Sequence, residues 1–135
     1  MAIVRFHSKA AGSFILLPKT QAEIFKVIGR EPTASGAIAA EDAAEWIERI
    51  EAEIAREKKL EAAMDAERDE RERQIVSGYG KAGACAEKLL EEEQKLKEER
   101  EAERQRIPFS ARVFPLLDML RKAQKKGEMV MWGIP

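Results

Sequence analysis

Apolar side chains alternate with polar ones near the start of the chain, where Val4 and Phe6 fall on one side of an extended segment and Arg5 and His7 on the other. Residues 2–8 therefore predict a strand. A second follows over residues 13–17, and between them Lys9-Ala10-Ala11-Gly12 supplies a glycine able to turn the chain back, so the pair predicts a hairpin. Phe14-Ile15-Leu16-Leu17 is apolar on both faces, which places the second strand at the centre of a sheet. Pro18 ends that strand. Thr20 with Glu23 three residues later has the form of a capping box, and Gly29 stops the helix whose apolar face is Ile24, Phe25, Val27 and Ile28. Residues 30–37, containing Pro32 and Gly36, read as a loop.

Beyond the loop the spacing becomes helical and then fades. Glu41 and Asp42 suit the positive end of a helix dipole, and Ala43, Ile47, Ile50 and Ile54 recur every three or four residues with Trp46 alongside. After Ala55 the same stripe is charged except at Leu60 and Met64. Ser77-Gly78-Tyr79-Gly80 breaks the helix, and a second over residues 81–106 carries Cys85, Ala86, Leu89 and Leu96 on one side. Its i,i+4 pairs are mixed: Glu87 faces Glu91, but Glu93 faces Lys97. Each favourable pair contributes only ~0.2–0.5 kcal/mol, so the tip of a helical hairpin here is expected to fray. Pro108 marks the end of the hairpin. Ser110 is a candidate cap for a helix bearing Val113, Phe114, Leu116, Leu117 and Leu120. Pro115 costs ~3 kcal/mol in a helix interior, so that helix is expected to begin near Phe114 or to kink there. Gly127 ends it after Lys122, Lys125 and Lys126, and residues 129–134 alternate Val130, Trp132 and Ile134 against Met129 and Met131. This third strand has only the N-terminal hairpin to pair with.

The expected fold is thus α+β: a small antiparallel or mixed three-stranded sheet from both chain ends packed with helices, plus a charged antiparallel helical hairpin. Residues 1–55 and 107–135 form the head and residues 56–106 a coiled-coil-like arm, within one domain overall.

Charge divides the chain the same way. Residues 1–31 and 107–135 each hold five Lys/Arg against two Asp/Glu, whereas residues 32–106 hold fourteen against twenty-one, so a net charge of −1 hides basic ends and an acidic middle. The hydrophobic fraction of 44% leans on alanine, with aromatics at 6%, which implies a small core. No apolar run approaches the ~20 residues a bilayer span needs, and the first residues lack a continuous apolar segment of the signal-peptide kind. With Cys85 as the single cysteine, no internal disulfide forms, and a cytoplasmic protein is expected.

The residues that could carry chemistry are few. His7 is the single histidine and has no Cys/His/Asp/Glu cluster at metal-ligand spacing beside it. Cys85 lies between alanines and reads as small-residue filling. Gly78-Tyr79-Gly80-Lys81-Ala82-Gly83 superficially suggests a phosphate loop, but Ile75 and Ala82 stand where that pattern wants glycine and a hydroxyl. Carboxylates such as Glu91-Glu92-Glu93 lie on a solvated helix, where nothing shifts their pKa for acid–base work. No catalytic residue, metal site or cofactor is expected. Arg5, Ser8, Lys9 and Arg112, with Trp132 if the ends meet, form a candidate partner-binding surface. Nucleic acid is not the expected partner, because the acidic middle repels phosphate.

Several short patterns occur in order: Ser8-Lys9-Ala10-Ala11-Gly12, Ile15-Leu16-Leu17, Ile28-Gly29-Arg30-Glu31-Pro32, Phe114-Pro115-Leu116-Leu117-Asp118-Met119-Leu120 and Trp132-Gly133-Ile134. Over about the first 55 and last 28 residues the chain resembles a family of small uncharacterised proteobacterial proteins classed as a domain of unknown function. The resemblance implies a bacterial cytoplasmic protein and brings no catalytic residue with it. The charged segment 60–106 is longer than the family leads one to expect. The function expected is a non-enzymatic protein-interaction module or small accessory subunit of a bacterial complex, binding a protein partner or itself. A homo-oligomer would bury the sparse stripe of Ile47, Ile50, Ile54, Leu89 and Leu96. The alternative is a small ligand-binding protein or enzyme using the sheet face near His7 and Trp132. A nucleic-acid-associated protein is a further alternative.

Overall fold

A computed structural model describes residues 3–79 and 86–135. The elements run β1 (Val4–Ser8), β2 (Ala11–Leu16), α1 (Pro18–Ile28), β3 (Gly36–Ile38), α2 (Ala40–Tyr79), α3 (Ala86–Gln105), α4 (Phe109–Lys126) and β4 (Val130–Gly133). Two compact units divide them, Met1–Arg56 with Pro108–Pro135, and Glu57–Ile107. Gly80-Lys81-Ala82-Gly83, Cys85 and the expected start of the second arm helix lie outside the described residues.

The first unit is an α+β head built on an antiparallel sheet of order β2-β1-β4-β3. The chain ends meet as β1 beside β4, with Phe6 opposite Trp132 and His7 opposite Met131. Two expectations are corrected. The sheet has four strands, not three, because part of the expected loop forms β3: Gly36 pairs with Trp132 and Ile38 with Val130. Three residues leave too short an alternation to be recognised from sequence. And β2, apolar on both faces, stands at an edge, while the central places go to β1 and β4.

All helices of the head cover one face. Val4, Phe6, Leu16, Ile38, Val130 and Trp132 of the sheet are buried against Ile24 and Phe25 of α1, Trp46 and Ile50 of α2, and Val113, Leu116 and Leu120 of α4. Aromatics form the centre: Phe6 stacks on Trp132 at 5.5 Å, and Phe25 meets Trp132 and Trp46 edge-on at 5.3 and 5.7 Å. Gly36 makes room for the indole. A Cβ there would lie 2.7 and 2.8 Å from Trp132 Cη2 and Cε2, and closer still to Cζ2.

Helix ends depart from the sequence expectation in an instructive way. Leu17 is the N-cap of α1, with Pro18 just inside the start and no side-chain cap, so Thr20 and Glu23 do not form a capping box. Glu23 instead takes a bidentate ion pair from Arg112, joining α1 to α4. Gly29, at φ 83°, closes α1, and Arg49 of α2 donates to the Ile28 carbonyl, placing a cation at the negative end of the helix. Pro108, not Ser110, is the N-cap of α4, which contains Pro115 in its interior and so starts well before Phe114. Val113, Leu116 and Leu120 are fully buried around that proline, which is packing able to offset its missing hydrogen bond.

The second unit is an antiparallel pair, the later part of α2 and α3. Partner numbers fall along α3 as they rise along α2: Glu61 meets Arg106, Arg71 meets Glu99, and Tyr79 donates to Glu93. Ile75 and Leu96 are its buried apolar residues. The seam otherwise admits charge. Arg68, 7% exposed, reaches Asp65 at 3.2 Å, Glu99 at 3.9 Å and Glu103 at 4.0 Å. Arg100 bridges to Asp69 and Glu72 at 3.0 and 3.1 Å. Mostly solvent-exposed pairs of this kind contribute about 0–1 kcal/mol each, so register is set by the ladder more than stability is. The stripe expected to pack against a second copy is buried only in part within one chain, and Leu89 remains half-buried. Ile50 is fully buried in the head, with Ile47 and Ile54 packed against that core, and Leu96 is buried in the helical pair.

Candidate functional site

With every head helix on one side, the sheet's other face is left open. Alternation decides what it carries. In β1, Val4 and Phe6 turn to the core, so Arg5 and His7 face outward; the pairing then puts Ile15 and Gly133 beside Arg5, and Met131 beside both His7 and Ala37. Ile3 and Leu17 extend the same face by two residues from Arg5 and Ile15. Ile3, Ile15 and Leu17 are 44%, 58% and 61% exposed, forming an aliphatic edge beside exposed Arg5. His7 is half-buried, and its Nδ1 has no hydrogen-bond partner among the described residues.

The residues expected to bind a partner do not converge. Arg5 and Lys9 are exposed. Ser8 is occupied in the turn, where its hydroxyl donates to the Met129 carbonyl at 2.8 Å and accepts from the Ala10 amide at 3.2 Å. Arg112 lies on α4, engaged with Glu23 of α1 on the helical side of the sheet. Trp132 is 5% exposed and faces the core, its indole donating to the Thr33 carbonyl at 3.2 Å. The idea of a face shared by His7 and Trp132 is corrected by the register. Trp132 is opposite Phe6, one residue away from His7, and one residue along a strand reverses the side.

The sequence reading missed Ile15, Met131 and Ala37 as surface neighbours of Arg5 and His7. The alternation of β1 was legible, but which residues sit opposite requires the pairing register. Among the described residues no group of three or more His, Cys, Asp or Glu side chains is placed to hold a metal ion. No helix among them is long and apolar enough to cross a membrane. A cavity of about 130 Å³ in the helical pair is lined by Ile75, Val76, Tyr79 and Leu96 with Glu72, Glu93, Lys97 and Arg100. Four of its polar groups engage one another: Arg100 binds Glu72, and Tyr79 donates to Glu93. Desolvation first, and that hydrogen bond second, raise the tyrosine pKa, which leaves it a neutral donor.

No curated protein and no solved structure matches the chain. A family model matches residues 2–132, so the likeness runs through the charged arm as well as both ends. The chain belongs to the family described as Domain of unknown function (DUF1840).

Proposed function

We propose that this protein is a non-enzymatic interaction module, a small cytoplasmic accessory subunit of a bacterial complex that docks a protein partner on the open face of its sheet. One observation carries the reading: the head places α1, α2 and α4 on one side of a four-stranded sheet and leaves the other side bearing Ile3, Ile15 and Met131 around Arg5 and His7. An arginine amid aliphatic side chains is the composition of an interface core rather than of a solvated sheet face. The small reactive inventory supports the same reading. His7 is the single histidine, and the residue paired with it across the strands, Met131, offers no acid or base.

A photo-crosslinking residue placed at Met131 in the full chain, expressed in its native host, tests this. Crosslinks to a defined partner are expected from position 131 and not from the exposed Glu48 of α2. His7→Gln is expected to leave partner capture and host growth unchanged. Absence of any crosslink from position 131 would refute the docking face, and a folded His7→Gln protein that had lost its function would move the reading to an enzyme.

A further inference from the structure

The strand that reads as the most central in sequence stands at the rim of the sheet. β2, Ala11–Leu16, has β1 on one side and no strand on the other. Two of the devices that protect an exposed edge are missing from it, since there is no charged residue and no proline between Ala11 and Leu17. The opposite edge, β3, is three residues long. A register shift between Phe6 and Ser8 protects the first part of β2 from further pairing and confines the open edge to Phe14–Leu16, paired on the inner side with Phe6 to Val4.

We infer that β2 is a pairing edge for a second copy of this chain, joining two heads antiparallel through β2 into one continuous eight-stranded sheet. The inference deepens the docking reading and rests on the same uncovered sheet. A second copy is the occupant the chemistry favours, because an uncharged strand laid antiparallel against itself opposes no like charges. A twofold axis perpendicular to the sheet keeps both sets of helices on one side and both open faces on the other, so the geometry closes at two copies. Centred on Ile15, the pairing sets Ile15 against Ile15 of the second copy and merges the two aliphatic edges of Ile15 and Leu17, now 58% and 61% exposed. Such an interface is small. One strand pair falls below the ~1,200 Å² of a standard interface, so the dimer is a reversible one.

The test uses the purified full chain without any partner, in sedimentation equilibrium across the micromolar range. A monomer–dimer equilibrium is expected. Ile15→Glu is the diagnostic variant: it places a carboxylate beside Arg5 within each chain, supporting the hairpin, but two carboxylates face each other in the dimer. A dimer affinity about a hundredfold lower, with an unchanged melting midpoint, is expected. A Cys85→Ser, Ile15→Cys chain should form a disulfide dimer on mild oxidation, and Cys85→Ser, Ala37→Cys should not. A wild-type chain that remains monomeric, a dimer indifferent to Ile15→Glu, or equal crosslinking from both cysteine positions would overturn the inference. The outcome is separable from that of the docking face: crosslinks from position 131 in a wild-type chain that shows no dimer in sedimentation would preserve the docking reading and overturn this one, and a dimer without those crosslinks would do the reverse.

Discussion

Gly36→Ala adds one methyl group where the sheet has no space for it. The new Cβ would stand 2.7 and 2.8 Å from two atoms of the six-membered ring of Trp132, well inside van der Waals contact. The ring has nowhere to retreat, since Phe6, Phe25 and Trp46 surround it with centroids 5.5, 5.3 and 6.1 Å away. Overpacking of this kind costs ~1–3 kcal/mol, and replacing glycine by alanine in a strand returns ~0.5–1 kcal/mol of backbone entropy. The net expectation is a loss of roughly 1–2 kcal/mol, or a melting midpoint lower by about 5–15 °C for a head of this size. Tryptophan fluorescence is the natural assay, because both tryptophans, Trp46 and Trp132, belong to the head and report its unfolding apart from the helical pair. Trp132→Phe removes the atoms in conflict, so Gly36→Ala on that background should be neutral or stabilising, a coupling above about 1 kcal/mol. A Gly36→Ala head as stable as the wild type, or the same loss on both backgrounds, would refute the close-packed account of β3.

Trp132→Ala should cost about 3–5 kcal/mol and lower the fluorescence-detected urea midpoint sharply, so any binding defect it shows reflects unfolding; a folded variant with the wild-type midpoint would contradict the core placement. Arg68→Leu should leave the helical pair as stable as before or more so by far-UV circular dichroism, since an arginine in a seam pays for desolvation that leucine avoids; lost helicity would show that the ladder supplies net stability. Glu99 is held below its ordinary pKa of 4.5 by the hydrogen bond from Arg71 above all; desolvation opposes this, and the charges of Arg71 and Arg68 add to it by less. A carboxylate with a depressed folded-state pKa contributes stability above its unfolded value, and that contribution is lost as pH falls through the folded value. Urea midpoints of the helical pair should therefore drop on going below pH 4.5, and Glu99→Gln should lessen the drop; an identical decline in both would remove Glu99 from the ladder.

Local pattern determined a good deal. Period-two alternation in Val4-Arg5-Phe6-His7 and in Val130-Met131-Trp132 placed the strands, and Gly29 and Gly127 marked helix ends that the structure closes in the left-handed conformation. These features depend on neighbours within a few residues, which sequence shows directly. The need of Val130 and Trp132 for a sheet likewise pointed to the meeting of the chain ends. What sequence could not decide was who stands beside whom. Glu23 read as a cap because Thr20 is close in sequence, yet it pairs with Arg112, 89 positions away. β2 read as central because it is apolar on both sides, yet edge or centre is fixed by strand order, a property of long-range pairing and not of composition. Trp132 and His7 read as one surface because they were expected to be close, and the register sent them to opposite faces. Short β3 is a strand by its pairing with β4, where Gly36 leaves room for the Trp132 indole, a tertiary condition with no local signal. The open face of the sheet has the same origin: alternation names the outward residues, but only the packing of α1, α2 and α4 on the other side leaves them uncovered.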